Sequence, residues 1–278
     1  AAAMTDHITG TEDDRWVFTE DNPSRELTTA AELSAVSRVM KGFNDTLSVQ
    51  CLDIARTLFE TTRDDRFAHI SKIQAATELW LTTKDAKYKK YLLNETPFIT
   101  QRIEQTSWFI CRAAETMGDK KFSAAIRAAL VASRDRLEQM GGATPYGVPY
   151  RPNIWGAGWD IQSFGFMYYF LVKSYPDLFN AKYLYNALNF VLGCHPGSNT
   201  ASFASGIGAV STTTAYGLNR ADWSYIPGGV VSGTTLIRPD FPELLKFPYL
   251  WQQTEYVLGG GSSHYMFLVL AARQLLGR

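Results

Sequence analysis

The sequence predicts an all-α fold assembled from sequential helical hairpins, and three observations support this. Apolar residues recur at helical spacing in about nine segments, and most of these segments are separated by short turns. The sustained alternation of apolar and polar residues that is typical of strands is almost absent. Of the 278 residues, 46% are hydrophobic and 19% are charged, so the chain has enough apolar material for a core and is not intrinsically disordered.

Four helices are predicted in the first third of the chain, after a polar and aperiodic N-terminal stretch. In that stretch, only Trp16-Val17-Phe18 has the composition of a short strand. The pattern becomes helical from about residue 24. The helices are expected to run from the pair Thr28-Thr29 to Gly42, from Asn44 to Leu58, from Phe67 to Trp80 and from Lys87 to Leu93. Thr28 and Thr29 are expected to cap the first of them, because Thr hydroxyls accept hydrogen bonds from first-turn N–H groups.

Five further helices are predicted in the rest of the chain. They run from Ile103 to Met117, from Phe122 to Met140, and over about 159–174, 178–192 and 262–276. Gly118 and the pair Gly141-Gly142 are expected to end the first two, because glycine adopts the backbone conformation that terminates a helix. The helix over 159–174 is apolar nearly all round, which predicts an interior position.

Two long segments interrupt this helical pattern. The first is Gly141 to Gly158, and the second is Cys194 to Leu250, whose 57 residues include seven Gly and five Pro. Loops of this length inside a compact helical domain are usually either functional or disordered. The second segment contains aromatic residues that can pack together, which argues against disorder. Because rigid scaffolds commonly carry function on loops, the sequence favours a binding surface over an inert ordered loop.

Composition excludes several classes of function. Lys plus Arg and Asp plus Glu both number 27, so the chain lacks the surplus of cations that a nucleic-acid-binding protein needs. No stretch approaches the roughly 18 apolar residues of a membrane span. The three cysteines and four histidines are widely spaced, which predicts neither a disulfide scaffold nor a zinc site, and no cofactor motif is present.

Glu255 is the strongest candidate for a catalytic residue. It is followed by Tyr256 and Val257 and preceded by Trp251, and such apolar neighbours remove water from a carboxyl group and raise its pKa. A carboxylic acid that stays protonated near neutral pH can act as a general acid. The alternative is a solvated glutamate at a loop end, or one that caps the last helix. The glycines 259–261 after it lack the sequence of a phosphate loop and predict close backbone approach or a hinge.

A second group of candidates lies in the long loop. Arg220 and Asp222 lie beside Tyr216 and Trp223, and this combination suits a ligand rich in hydroxyl groups. The charged groups would hydrogen-bond the hydroxyls while the aromatic rings stack on the apolar faces of sugar rings. The alternative is a surface ion pair between Arg220 and Asp222, which would contribute little to stability.

Several motifs, in the same order along the chain, resemble family 9 of the glycoside hydrolases, a family of cellulases and exo-glycosidases. They are Thr19–Ser24 before an Ala-rich helix, Ala76–Tyr88 (similar to "AAaELyrtTGdakY"), Pro145–Pro149 with Trp155-Gly156, Tyr185–Gly193 with Pro196 (similar to "YlLGrNP"), Ser205–Gly208, and Thr254–Val257 (similar to "NEVA"). The resemblance implies an (α/α)6 barrel of six helical hairpins and hydrolysis of β-linked glucans or oligosaccharides by an inverting mechanism.

The resemblance also implies roles for individual residues. Glu255 matches the family's proton donor, Trp155 the tryptophan that stacks on a bound sugar, and Arg220 the arginine of its "PHHR" loop. Trp251, with the aromatic residues of the long loop, is expected to contribute to sugar binding. The two histidines of that loop are replaced by Leu218-Asn219, and Thr254 replaces the Asn before the Glu, so the sugar contacts are expected to differ from those of a standard cellulase.

The family's catalytic base, an Asp in a "DAGD"-type motif, has no counterpart in this sequence. About nine predicted helices against the family's twelve lead to the same expectation, namely that residues 1–278 form one C-terminal part of the barrel, lacking its first helices. We therefore expect the base upstream of residue 1 and expect this fragment alone to be inactive. Removing hairpins from a closed ring exposes apolar surface, so the chain should self-associate or require its missing segment.

Three readings of function follow from the sequence, and the third is a purely structural protein that neither binds nor cleaves an oligosaccharide. In the first, the chain is part of a glycosidase that needs no cofactor or metal. In the second, it is a non-catalytic carbohydrate-binding or assembly module that kept the barrel and lost the base. The sugar, its linkage and endo or exo action stay open, and a periplasmic or secreted location is favoured by analogy alone.

Overall fold

The computed structural model describes residues 6, 8, 10–11, 21–143, 147–150, 156–194, 202–211, 227–230 and 260–277. Ten α-helices lie in this part of the chain. They are α1 (Pro23–Met40), α2 (Asp45–Thr61), α3 (His69–Thr83), α4 (Ala86–Asn94), α5 (Thr96–Gln101), α6 (Ile103–Met117), α7 (Lys120–Ala143), α8 (Ala157–Ser174), α9 (Lys182–Val191) and α10 (Gly260–Leu275). The predicted all-α class is confirmed. Within the described ranges, the one extended pairing is an isolated antiparallel bridge between Ala204 and Val230.

Several helix boundaries differ from the sequence prediction. The first helix begins at Pro23 and not at the threonine pair, because the Asn22 side chain accepts a hydrogen bond from the N–H of Arg25 at 3.0 Å and proline is favoured in a first turn. The short helix α5 was missed. Helix α7 continues through Gly141 and Gly142 to Ala143, and α9 begins at Lys182 because the residues before it form a turn. The predicted strand at Trp16-Val17-Phe18 lies outside the described residues.

The chain divides into two compact units, and the first comprises residues 1–82. In this unit α1 packs against α2, and a small core forms where Ala30 and Ala31 of α1 contact Ala75 of α3. All three alanines are at most 1% exposed, so small side chains allow close approach of the helices. A charged contact between Arg38 and Glu78 ties the same two helices together.

The second unit comprises residues 83–278 and contains α4 to α10. Helix α8 packs against α6, α9 and α10, which agrees with the interior position predicted from its apolar sequence. Contacts between α8 and the segment that contains α9 advance in opposite directions along the sequence. Tyr168 stacks edge-on against Phe179 near the start of the hairpin, whereas Gly165 contacts Ala187 further on. Helices α8 and α9 are therefore an antiparallel hairpin.

Helices α8 and α10, by contrast, run parallel. Contacts advance in the same direction along both, in the order Trp159 to Gly261, Phe166 to His264 and Phe170 to Phe267. Helix α6 follows the same direction, because Trp108 contacts Phe166 and Arg112 lies over the ring of Phe170. The N-termini of α6, α8 and α10 therefore lie at one end of this unit.

The two long connections of the sequence enter helices at this end. The first leads from α7 into α8, and the second leads from α9 into α10. None of the described helices is long and apolar enough to cross a membrane.

Candidate active site

The side chains that the sequence assigns to the site lie outside the described residues. They are Trp155, Tyr216, Arg220, Asp222, Trp223, Trp251 and Glu255. Their roles remain predictions. The structure does describe the residues to which the segments carrying them are anchored, and these anchors define the candidate site.

The first anchor is the start of α8. Trp155 directly precedes Gly156, which adopts a left-handed conformation (φ 90°) at the N-cap position of the helix. The first turn of α8 contains Trp159, whose side chain packs against a buried cluster, and Asp160. Partial burial raises the pKa of the Asp160 carboxyl above its ordinary value.

The second anchor is the bridge between Ala204 and Val230. Ser205 strengthens it, because its N–H donates to the carbonyl of Gly229 at 2.9 Å and its carbonyl accepts from the N–H of Gly228 at 3.0 Å. The Ser205 hydroxyl also accepts a hydrogen bond from the N–H of Gly229 at 2.9 Å. The bridge thus joins the described residues 202–211 to the described residues 227–230, and four of the candidate residues lie in the sequence between these two ranges.

The third anchor is the first turn of α10, which begins five residues after Glu255. A Cβ atom placed on Gly261 would lie 2.8 Å from Cγ1 of Val230 and 3.1 Å from Nε1 of Trp159. The start of α10 therefore lies directly against both other anchors. The close backbone approach predicted for the glycines 259–261 is confirmed at Gly261, which lies within the helix.

A buried cluster of apolar side chains packs against the three anchors. It contains Val148, Tyr150, Ile161, Ala187, Phe190, Val191, Phe203, Ala204 and Val230, all at most 6% exposed. The N–H of Phe203 donates to the carbonyl of Val191 at 2.7 Å and so attaches the second connection to the end of α9. The described residues of both connections thus pack into this buried cluster at the same end of the unit. This is expected for a site whose residues lie on loops held by a rigid scaffold.

Among the described residues, His264 is a histidine near the start of α10, three residues after Gly261. It lies on α10 with its ring centroid 5.2 Å from that of Phe166, and burial lowers its pKa below the ordinary value. A neutral imidazole at this position can donate or accept a hydrogen bond without adding charge. Among the described residues, no group of three or more His, Cys, Asp or Glu side chains could hold a metal ion.

Sequence reasoning missed two residues that organise this region. Val230 lies in a Gly-rich stretch without helical periodicity, and its pairing with Ala204 depends on a contact across 26 positions that no local pattern encodes. Trp159 begins the helix predicted over 159–174, but its contact with Gly261 depends on the packing of α8 against α10. The run of three glycines was the signal that a close approach occurs.

Comparison of the fold with solved structures gives a consistent result. The chain is similar to a metagenome-derived family 9 glycoside hydrolase endoglucanase (19% identity, 90% of this chain, 52% of that chain, TM-score 0.69). It is also similar to a thermostable endoglucanase from Alicyclobacillus acidocaldarius (15%, 90%, 55%, 0.71) and to an endoglucanase from the termite Nasutitermes takasagoensis (17%, 92%, 66%, 0.66). No protein-family model matches the chain, and no curated protein matches it at a significant level.

These similarities establish the fold. The family 9 endoglucanases are (α/α)6 barrels, and the chain superposes on them over 90% of its own residues. The chain spans only about half the length of the family 9 endoglucanase structures that it matches first. The prediction of an incomplete (α/α)6 barrel is therefore confirmed, and activity and substrate are matters for proposal.

Proposed function

We propose that this chain is part of a glycoside hydrolase that cleaves O-glycosidic bonds of a β-linked glucan or oligosaccharide with inversion, and that Glu255 is its general acid. One observation carries the proposal, namely the convergence of Trp159, Val230 and Gly261. Trp155 directly precedes Gly156 at the start of α8, and the segment with Glu255 and Trp251 lies between Val230 and Gly260 in the sequence.

Chain geometry limits how far the candidates can lie from this convergence. Trp155 is bonded to Gly156, so their Cα atoms are about 3.8 Å apart, and five residues from Glu255 to Gly260 span at most about 18 Å. Tyr216, Arg220, Asp222 and Trp223 lie in the sequence between Ala204 and Val230, which the bridge pairs. A stacking ring, hydrogen-bonding groups and a carboxyl group can therefore act on one ligand.

The proposed reaction needs two carboxyl groups. Glu255 donates its proton to the glycosidic oxygen as the bond from that oxygen to the anomeric carbon breaks. A base removes a proton from a water molecule that attacks the anomeric carbon from the opposite face, which requires roughly 6.5–9.5 Å between the carboxyl groups. We expect the base to be an Asp upstream of residue 1. Release of the products leaves Glu255 ionised and the base protonated, so before the next turnover Glu255 takes up a proton from solvent and the base releases one.

Sugar binding in this proposal depends on the aromatic and charged residues of the two connections. Trp155 and Trp251 would stack on apolar sugar faces, together with the rings of Tyr216 and Trp223. The guanidinium of Arg220 and the carboxylate of Asp222 would bond hydroxyl groups. The fold similarity to endoglucanases supports a β-linked glucan as the first substrate to test.

The test is the substitution Glu255→Gln in the longer protein that contains this chain. We expect turnover of cello-oligosaccharides to fall by about 10²–10⁴-fold, because the amide cannot donate the proton, while calorimetry shows unchanged binding. Dinitrophenyl glycosides should lose less activity, since their leaving group departs without protonation. Glu32→Gln, on the exposed surface of α1, serves as the matched control and should leave turnover unchanged.

Two outcomes would change the assignment. Near-normal turnover of the Glu255→Gln variant would remove Glu255 from the mechanism. Oligosaccharide binding by the unsubstituted longer protein without release of reducing ends would favour the carbohydrate-binding or assembly module, a reading motivated by the absence of a recognisable base in residues 1–278.

A further inference from the structure

A cavity lies among α6, α7 and α8, and all the residues that line it belong to the described part of the chain. Its volume is about 70 Å³. This is about twice the share of liquid volume that one water molecule takes, ~30 Å³. Of its lining residues, Phe164 alone also packs against the buried cluster of the candidate active site. The cavity is therefore a separate feature, and the proposed function gives it no role.

Most of the cavity wall is apolar. Helix α7 contributes Leu137, and α8 contributes Phe164, Met167 and Leu171. The ring of Phe164 stacks on that of Tyr168 with 5.3 Å between their centroids, and Leu171 is almost fully buried. Because removing apolar surface from water is favourable, these side chains suit the hydrocarbon part of a ligand.

Two hydroxyl groups interrupt this apolar wall. Ser107 of α6 and Ser133 of α7 both line the cavity and are 5% and 3% exposed. Among the described residues, neither hydroxyl has a hydrogen-bond partner, yet neither oxygen is sealed from solvent. A hydroxyl group that is withdrawn from bulk water is costly without a partner. A molecule in the cavity can provide that partner.

The charges around the cavity favour a neutral ligand. Glu104 is its one charged lining residue, and Arg136 already balances that charge through a contact of 2.7 Å. Tyr168 stays uncharged, because burial and the nearby carboxylate of Glu138 raise its pKa. The same carboxylate would repel an anion, and no unbalanced lining charge would hold a cation.

We propose that this cavity binds a neutral, short-chain alcohol. A single hydroxyl group can donate a hydrogen bond to one of Ser107 and Ser133 while it accepts one from the other. The alkyl chain then lies against Phe164, Met167 and Leu171. The volume limits this chain to about three carbons.

Two other classes of neutral ligand fit the wall less well. A pure hydrocarbon would leave the hydroxyl groups of Ser107 and Ser133 without partners. A sugar or other polyol would place its further hydroxyl groups against apolar side chains, where they lose their bonds to water. The pairing of two hydroxyl groups with an apolar wall therefore selects a ligand that has one polar end.

The test is a titration of the 278-residue chain with 1-propanol, followed by NMR of its ¹³C-labelled methionine methyl groups. Met167→Leu assigns the Met167 signal by removing it. We expect this signal to shift and saturate with a Kd of about 1–10 mM, since so small a ligand binds weakly. The signal of Met117, which is buried on α6 outside the cavity, should not move. 1-Propanethiol has a similar shape but bonds weakly through sulfur, so it should bind about 5-fold less tightly.

Substitutions of the two serines test the proposed contacts. Ser107→Ala and Ser133→Ala should each weaken 1-propanol binding by about 5–10-fold, because each removes one partner of the alcohol. Thermal unfolding without alcohol should change little, since neither variant removes a hydrogen bond between described residues. Ser123→Ala lies about three turns earlier on α7, outside the cavity, and should leave binding unchanged. Ser133→Leu fills the cavity and should abolish the saturable shift.

Three outcomes would overturn the proposal. They are a Met167 signal that does not shift or does not saturate, equal binding of 1-propanol and 1-propanethiol, and alanine variants of both serines that bind like the unsubstituted chain. The first would mean that the cavity holds water only, and the second that it binds apolar molecules without recognising a hydroxyl group. None of these measurements involves turnover or Glu255, so failure here would leave the proposed function as it stands.

Discussion

Arg38 donates a hydrogen bond of 2.7 Å from Nη2 to Oε2 of Glu78 and so joins α1 to α3 through a carboxylate that is almost fully buried. The other terminal nitrogen of Arg38 donates to the hydroxyl of Thr82 at 2.6 Å. The guanidinium thus makes charge-assisted hydrogen bonds to two side chains of α3.

Arg38→Met should lower the free energy of unfolding by about 2 kcal/mol, measured by urea denaturation. Breaking a fully buried pair costs about 3–5 kcal/mol, and the partial exposure of Arg38 reduces this. Arg56→Met, which removes an exposed pair with Asp53 on α2, should cost less than about 0.5 kcal/mol. Equal effects of the two substitutions would contradict this account.

Lys84→Gly should stabilise the chain by about 1 kcal/mol. Lys84 follows the end of α3 with φ 58°, a left-handed conformation in which a side chain is strained and glycine is not. Urea denaturation would measure the gain. Lys90→Gly, within the exposed face of α4, is the matched control and should instead lose about 1 kcal/mol.

Gly141→Ala should destabilise the chain by about 1–3 kcal/mol, because its Cβ would clash with the hydroxyl of Tyr183. That hydroxyl cannot move freely, since it donates a hydrogen bond of 2.8 Å to Glu138. The neighbouring Gly142 has open space around its Cβ, so Gly142→Ala should be neutral or slightly stabilising. Similar thermal unfolding midpoints for the two variants would argue against the contact.

Stability should fall as the pH is lowered from about 7 toward 5, and His264 should contribute to the slope. Burial lowers the pKa of His264 in the folded chain, whereas in the unfolded chain it takes up a proton near pH 6.5. Below that pH the unfolded state binds more protons, so acidification favours unfolding until the folded state is protonated too. Urea midpoints of His264→Gln should change less with pH; an unchanged slope would exclude this contribution.

The helices that could be predicted were those whose apolar residues repeat over several turns. Helices α2, α3, α6 and α8 follow the predicted segments closely because the apolar side of each faces a neighbour. The errors occurred where local rules compete with tertiary contacts. Gly141 and Gly142 have the signature of a helix end, yet α7 continues through them because Gly141 provides the space into which Tyr183 packs.

The candidate site could be predicted only as a set of segments. Motif order identified the two connections that carry Trp155 and Glu255, and this needs no three-dimensional contact. The convergence of Trp159, Val230 and Gly261 depends on the parallel packing of α8 and α10 and on a bridge between distant residues. Neither relation leaves a periodic signal in the sequence.

The common direction of α6, α8 and α10 has an electrostatic consequence. Parallel helices align their macrodipoles, so the N-termini of these three helices bring partial positive charge to the same end of the unit. The side chains offset this accumulation, since Glu104 and Asp160 occupy first turns, whereas Lys173 and Arg273 occupy last turns. Acidic residues at helix starts and basic residues at helix ends thus reduce the electrostatic cost of packing these helices in the same direction.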